Sequence, residues 1–179
     1  MYEPADDSFL LEKEVKKYCS ENKPSIVIDM GTGSGIQANA AAVFCNQVIA
    51  VDIQNIPENI FEKTNIEFVK SDLFSDVSEK YFNQVDLIIF NAPYLPQGEE
   101  DYNAKELYGG HNGVDLTIEF LIQAKKFLSS FGAILFVASS HADIKFLEEK
   151  MVELGFEFKV VTKQHIFFED IIVYEAKLK

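Results

Sequence analysis

The chain contains no arginine. All 16 of its basic residues are lysines, and they face 29 acidic residues, for a formal net charge of −13. Nucleic-acid phosphates repel so acidic a surface unless a local basic patch overrides the net field, and the sequence holds no such patch. The residue that most often reads guanine bidentately is missing altogether. A protein that reads DNA sequence is therefore disfavoured, and no direct nucleic-acid binding is expected. Cysteine is scarce too: Cys19 and Cys45 cannot frame a disulfide scaffold. Neither has a neighbour at metal-ligand spacing, so no metal is expected. No apolar run reaches the roughly 18 residues of a membrane span. The opening Met1-Tyr2-Glu3-Pro4-Ala5-Asp6-Asp7 is acidic and lacks the charged and apolar stretches of a secretory signal. These absences lead to the expectation of a reduced, cytoplasmic protein.

What is present is ordinary for a folded domain, with 47% hydrophobic and 25% charged residues in 179. A chain of this length suits one domain, taken here as residues 1–179. It can bury about 70% of its unfolded surface without a disulfide or metal staple. No repeat, low-complexity tract or linker interrupts it. Short apolar runs at 26–30, 48–53, 66–69, 85–90 and 133–138 have the length and β-branched content of strands buried on both faces. Helical spacing occupies 8–18, 34–44, 116–128 and 144–154. Strands alternating with helices argue an α/β doubly wound fold. The end differs: 156–162 and 165–174 are strand-like with almost nothing between them, which forces an antiparallel pair. A mostly parallel sheet closed by a C-terminal hairpin resembles the Rossmann-like class I methyltransferases. That resemblance implies seven strands in the order 3-2-1-4-5-7-6.

Asp29-Met30-Gly31-Thr32-Gly33-Ser34-Gly35 follows the first predicted strand and opens an alanine-rich helix. Glycines here permit a tight turn and close approach of a ligand to the backbone. A dinucleotide loop wants Gly-x-Gly-x-x-Gly, but the third glycine arrives one residue early, at Gly35. Asp29 would also place negative charge near a pyrophosphate. A cofactor with a positively charged amino-acid end welcomes that acid, which favours S-adenosylmethionine. Asp52 ends the second predicted strand about 20 residues past the loop, where an acid can accept both hydrogen bonds of a ribose diol. Asp72 follows the third strand in Ser71-Asp72-Leu73-Phe74. Its carboxylate can take an adenine amino group, with Leu73 giving a backbone amide; a helix N-cap is the alternative for Asp72.

The fourth predicted strand runs into Asn91-Ala92-Pro93-Tyr94. Ligand crevices of open α/β sheets lie at the carboxyl ends of the strands, which brings Asn91 beside the cofactor. The Asn91 side chain offers a carbonyl. The residue before Pro93 is held extended, so the Ala92 carbonyl can point into the same space. Two carbonyls accept the two protons of a planar NH₂ group, and Tyr94 can stack on its face. An Asn-Pro turn after a buried strand is the plainer alternative.

Asn-Pro-Pro-Tyr at this place marks methyltransferases that act on planar NH₂ nitrogens, and the chain resembles one branch of them closely. Tyr2-Glu3-Pro4-Ala5-Asp6-Asp7-Ser8-Phe9-Leu10-Leu11 and Tyr108-Gly109-Gly110-His111-Asn112-Gly113 are similar to segments of the eukaryotic and archaeal HemK-like release-factor glutamine methyltransferases. The resemblance implies that Ser8 touches S-adenosylmethionine. It places Asp29 and Gly31 at the methionine end, Asp52 at the ribose, and Asp72 and Leu73 at the adenine, with Gly33 and Gly35 as further cofactor-binding residues of the loop. Asn91, with Ala92, Pro93 and Tyr94, would clamp the substrate amide. Ala92 stands where the family has its first proline; the carbonyl survives, but one rigid ring is lost. The implied substrate is the glutamine of the Gly-Gly-Gln loop of a class I peptide-chain release factor, with S-adenosylhomocysteine as co-product. The resemblance also implies a small zinc-binding activator that adds a strand at the sheet edge Ile66–Lys70. Residues 53–65 hold Pro57 and few apolar residues, too little for a full covering helix there, although Ile56, Ile60 and Phe61 can cover part of that flank. The acidic loop 97–106 is either a solvated loop or a complement to a basic protein substrate. Two other readings stand beside this one: a DNA adenine-N6 methyltransferase, and a non-catalytic protein of methyltransferase fold.

Overall fold

All seven apolar or strand-like runs enter one sheet. The structure, a computed structural model, describes residues 4–92, 113–166 and 168–179. In chain order the elements are α1 (Asp6–Asn22), β1 (Ile26–Met30), α2 (Ile36–Ala42), β2 (Gln47–Asp52), β3 (Ile66–Lys70), β4 (Val85–Phe90), α3 (Asp115–Ala124), β5 (Leu128–Ser139), α4 (Ile144–Glu153), β6 (Phe156–Ile166) and β7 (Glu169–Leu178). The strands lie in the expected order, β3-β2-β1-β4-β5-β7-β6. β1 to β5 run parallel, while β7 is antiparallel to both β5 and β6. The parallel strands therefore all end at one edge of the sheet. Loop 31–35, Asp52, Asp72 and Asn91 gather along that edge, each at or just past the end of a different strand.

Alternate residues of the central strands feed two cores. Ile28, Met30, Ile49, Val51, Ile88 and Phe90 share one core with Phe120 and Leu121 of α3 and Leu147 and Met151 of α4. Val27, Val48, Ala50, Leu87 and Ile89 share the other with Leu11 and Val15 of α1 and Ala38 and Ala41 of α2. With both faces covered, nearly every position is apolar, Asp29 and Asp86 excepted, which is why these strands read as near-continuous runs. A fully buried side chain such as Phe120 contributes about 1.5–3 kcal/mol through burial. No described helix is long and apolar enough to cross a membrane.

Several boundaries differ from the sequence expectation. The helix expected over 116–128 stops at Ala124, and residues 125–127 continue as turns. β5 begins at Leu128 rather than Ala133. Val85 faces Leu128 while Leu87 faces Ala133, so residues 129–132 are an insertion opposite Asp86, whose Oδ1 accepts from Ser129 Oγ at 3.0 Å. At the C-terminus, Lys163 and Gln164 look like a turn but continue β6 to Ile166. β6 is an edge strand, and its exposed side permits polar residues that a central strand would not. Between β2 and β3 only one 3-10 turn forms, Glu58–Ile60, in line with the sequence. Ile56 is buried there and Ile60 and Phe61 half-buried, with the Phe61 ring stacked 6.3 Å from that of Phe68. β3 has no buried residue: Ile66, Phe68 and Val69 are half-buried, and Glu67 and Lys70 are exposed.

Candidate cofactor and methyl-acceptor site

The glycine loop is held from three sides. Gly31, Gly33 and Gly35 have φ of 63°, 49° and 76°, a region that disfavours other residues. At Gly35 space is tight as well: a Cβ would lie 3.0 Å from Ile60 Cδ1 and 3.3 Å from Phe61 Cε1, so those side chains would have to shift. Thr32 N donates to the Val51 carbonyl at 2.9 Å, stitching the loop to β2. Gly33 N donates to Asp52 Oδ2 at 2.9 Å, and the other oxygen of Asp52 accepts from Gln54 N at 2.9 Å. One half-buried carboxylate thus ties the loop to the β2–β3 link.

Asp29 lies beneath the loop and is only 1% exposed. Its Oδ2 accepts from Thr32 Oγ1 at 2.6 Å and from Ala38 N at 3.0 Å. Burial pushes its carboxyl up to about 7, against the pull of those two hydrogen bonds, and the neighbouring Asp52 adds to the rise. Asp72 is exposed and precedes turns rather than a helix, which removes the N-cap alternative. The next residue, Leu73, has φ +46°. A left-handed leucine costs about 1–2 kcal/mol, and strain of this kind collects at functional positions.

Asn91 follows β4 and meets the start of α1. Its Nδ2 donates to Ser8 Oγ at 3.1 Å and to Asp7 Oδ2 at 3.3 Å. A carboxylate only accepts, so the nitrogen must face Asp7 and the Oδ1 must face away. That Oδ1 is buried and has no hydrogen-bond partner. Leaving a carbonyl unmet in the interior costs about 1–3 kcal/mol, so this oxygen is an acceptor ready for a donor that none of the described residues supplies. Asp7 is braced in turn, its Oδ1 accepting from Ser8 N at 2.7 Å. Ala92 is buried.

The structure thus brings Ser8, Asp29, Gly31, Gly33, Gly35, Asp52, Asp72, Leu73, Asn91 and Ala92 to one end of the sheet. Tyr2, Glu3, Pro93, Tyr94, the acidic loop 97–106 and residues 108–112 of the Gly-Gly-x-Asn-Gly segment lie outside the described residues. Sequence reading missed Asp7 and Gln37. Asp6 and Asp7 look like ordinary acids complementing a helix N-terminus, and nothing in the local pattern distinguishes Asp7 as the partner of Asn91. Gln37, whose Nε2 donates to the Ser8 carbonyl at 2.8 Å, looks like one polar position in an alanine-rich helix. Among the described residues no group of His, Cys, Asp and Glu could hold a metal ion.

A sheet of this order, with a glycine loop after β1, an acid ending β2 and an antiparallel C-terminal hairpin, defines a class I methyltransferase. The chain belongs to the methyltransferase small domain family, whose model matches residues 8–168, and its cofactor is S-adenosylmethionine. It is 29% identical over 187 residues to an inferred protein N5-glutamine methyltransferase of Methanocaldococcus jannaschii, covering 98% of this chain and 91% of that one. It is 30% identical over 184 residues to the eRF1 methyltransferase catalytic subunit mtq2 of Schizosaccharomyces pombe, covering 87% and 80%. Among solved structures, the Mtq2–Trm112 complex of E. cuniculi, responsible for methylation of the eRF1 translation termination factor, superposes with a TM-score of 0.77. That match has 20% identity and covers 99% of this chain and 98% of that one.

Proposed function

We propose that this protein methylates the side-chain amide nitrogen of the Gly-Gly-Gln glutamine in a class I peptide-chain release factor, in the cytoplasm. The observation that carries the reading is the buried, unmet Oδ1 of Asn91, fixed in orientation by Asp7 and Ser8 at the end of β4. The relatives that act on protein glutamine and on eRF1 support the same acceptor.

The residues present fit the cofactor. Loop 31–35 and Ser8 would surround its methionine end, with the Asp29 carboxylate beneath. Asp52 would exchange its Gly33 and Gln54 contacts for the ribose hydroxyls. Asp72 and the Leu73 amide would meet the adenine edge. When bound, S-adenosylmethionine supplies a methyl carbon activated by the adjoining sulfonium. Asn91 Oδ1 and the Ala92 carbonyl would accept the two N–H bonds of the substrate amide, holding its nitrogen in line with that carbon, and Tyr94 would cover the flat face. An amide nitrogen is a poor nucleophile because its lone pair is delocalised. Positioning and the electron density pushed onto nitrogen by two acceptors are what the protein contributes. Transfer would form a C–N bond as the C–S bond breaks, its electron pair staying on the sulfur of S-adenosylhomocysteine, and the proton lost from the amide nitrogen would pass to solvent water.

The reading includes a small zinc-binding activator that pairs with β3. The two sheet edges support this choice. β6 carries a register shift between Val160 and Thr162 and lysines that pair across to β7, Lys159 with Glu175 and Lys163 with Asp170. Such devices blunt an edge. β3 keeps an unbroken five-residue register with β2 and three half-buried apolar side chains, which suits strand addition.

The test is radiolabelled methyl transfer to the release factor, with the activator present. Labelling that disappears in the loop Gln→Ala substrate is expected. Labelling that persists in that substrate, or that goes instead to tRNA or DNA, would overturn the proposal.

A further inference from the structure

Asn91 is not alone in carrying an unmet carbonyl. Gln37, in the first turn of α2, is only 3% exposed, and its Oε1 is likewise buried without a partner. Among the described residues, these are the two buried side-chain atoms left unsatisfied. The orientation of the Gln37 amide is settled by its contact. Nε2 donates to the main-chain carbonyl of Ser8 at 2.8 Å, and that carbonyl can only accept, so Oε1 turns away from it. A leucine or methionine would fill similar space without the penalty of an unmet acceptor.

The two orphan oxygens share one anchor. Ser8 takes the Gln37 amide through its carbonyl and the Asn91 amide through its Oγ, at 3.1 Å. The next residue after Gln37, Ala38, gives its N–H to Asp29 Oδ2 at 3.0 Å. Gln37 therefore sits between Ser8 and the buried acid, the two groups that flank the methionine end of the cofactor in the reading above. An amide oxygen needs a donor. The amino-acid end of S-adenosylmethionine offers one donor group, the α-ammonium; its carboxylate offers none. The ribose hydroxyls are the business of Asp52, at the end of the neighbouring strand. We infer that Gln37 is a cofactor-binding residue whose Oε1 accepts a hydrogen bond from the α-ammonium of S-adenosylmethionine. This rests on the reading that the methionine end lies against Ser8 and loop 31–35.

The test is calorimetric titration of wild type, Gln37→Leu and Gln37→Met with three ligands: S-adenosylmethionine, S-adenosylhomocysteine and methylthioadenosine, which lacks the amino-acid end. Losing a hydrogen bond to a charged group should weaken the first two about tenfold and leave methylthioadenosine unchanged. The melting midpoint without ligand should change little, because loss of the Nε2 hydrogen bond to Ser8 offsets removal of the unmet acceptor. Unchanged affinity for S-adenosylmethionine in a folded variant overturns the inference, and so does an equal loss for methylthioadenosine. If the leucine variant fails to fold, the methionine variant decides. Asp52→Ala is titrated alongside and should weaken all three ligands. Wild-type binding by Asp52→Ala would mean that the site reading has failed, and the inference with it. Weakened binding there beside unaltered Gln37 variants would sink the role of Gln37 alone.

Discussion

Within the described residues, Asn91 is fastened by its nitrogen and leaves its oxygen free to accept. Asn91→Ala removes the acceptor but no part of either core. Turnover should fall by at least about 10², with cofactor affinity much less affected; turnover at the wild-type rate would remove the clamp. Asp29 makes a different prediction. Its carboxyl is raised by burial from 3.8 to about 7, so between those values the folded chain holds a proton that the unfolded chain has released. Stability from this group is full below about pH 4 and is lost as pH rises through about 7. Melting midpoints measured across that window should decline with pH in wild type, and the Asp29→Asn variant should lack that component. A cationic ligand favours the ionised form, so cofactor binding should tighten as pH rises toward 7 and release a proton. The positions of Asp29, Asp52 and Asn91 were legible in the sequence because each lies at, or within one residue of, the end of a strand whose place in the order is readable. Asp7 and Gln37 were not, because their meaning lies in contacts 84 and 29 residues away.

At the scale of elements, the strands buried on both faces declared themselves. β1 and β4 have the bounds that their apolar runs suggest, and β3 runs one residue further, to Lys70. The largest departures are in β6, half of whose side chains face solvent, at the start of β5, where residues 129–132 interrupt the register, and in β7, which spans Glu169–Leu178 rather than 165–174 because β6 runs on to Ile166. The edge strand β3 also yields a prediction. Val48 N donates to the Asn65 carbonyl and Ser71 N to the Asp52 carbonyl. With Val48 opposite Ile66 and Asp52 opposite Lys70, residues 65, 67, 69 and 71 bond inward, and the N–H groups of Ile66, Phe68 and Lys70 face the free edge. Lys70→Pro should then leave the β2 ladder whole and delete one outward donor. Activator affinity should drop by about 0.5–1.5 kcal/mol, seen by titration, with the melting midpoint of the isolated chain little changed. Unaltered activator binding would argue that the partner docks elsewhere.

At the scale of the whole molecule, the proposed partner edge and the cofactor site are joined by the same strand. β3 leads through Ser71 directly into Asp72 and the strained Leu73, and it pairs with β2 up to Asp52. β3 and its covering segment have few fully buried residues, and local stability follows buried contact. A partner strand that completes the hydrogen bonding of β3 would hold the adenine and ribose groups nearer to one geometry, so less ordering would remain to oppose cofactor binding. The activator should therefore raise affinity for S-adenosylmethionine, with a coupling of about 1–3 kcal/mol. Linkage then fixes a second measurement: the cofactor must raise affinity for the activator by the same factor. Titrating cofactor into the chain with and without activator, and activator into the chain with and without cofactor, closes the cycle. Equal cofactor affinity in both states would show that β3 pairing and the site are energetically independent. The activator would then act on the protein substrate or on solubility, and the edge strand would serve as a docking surface only.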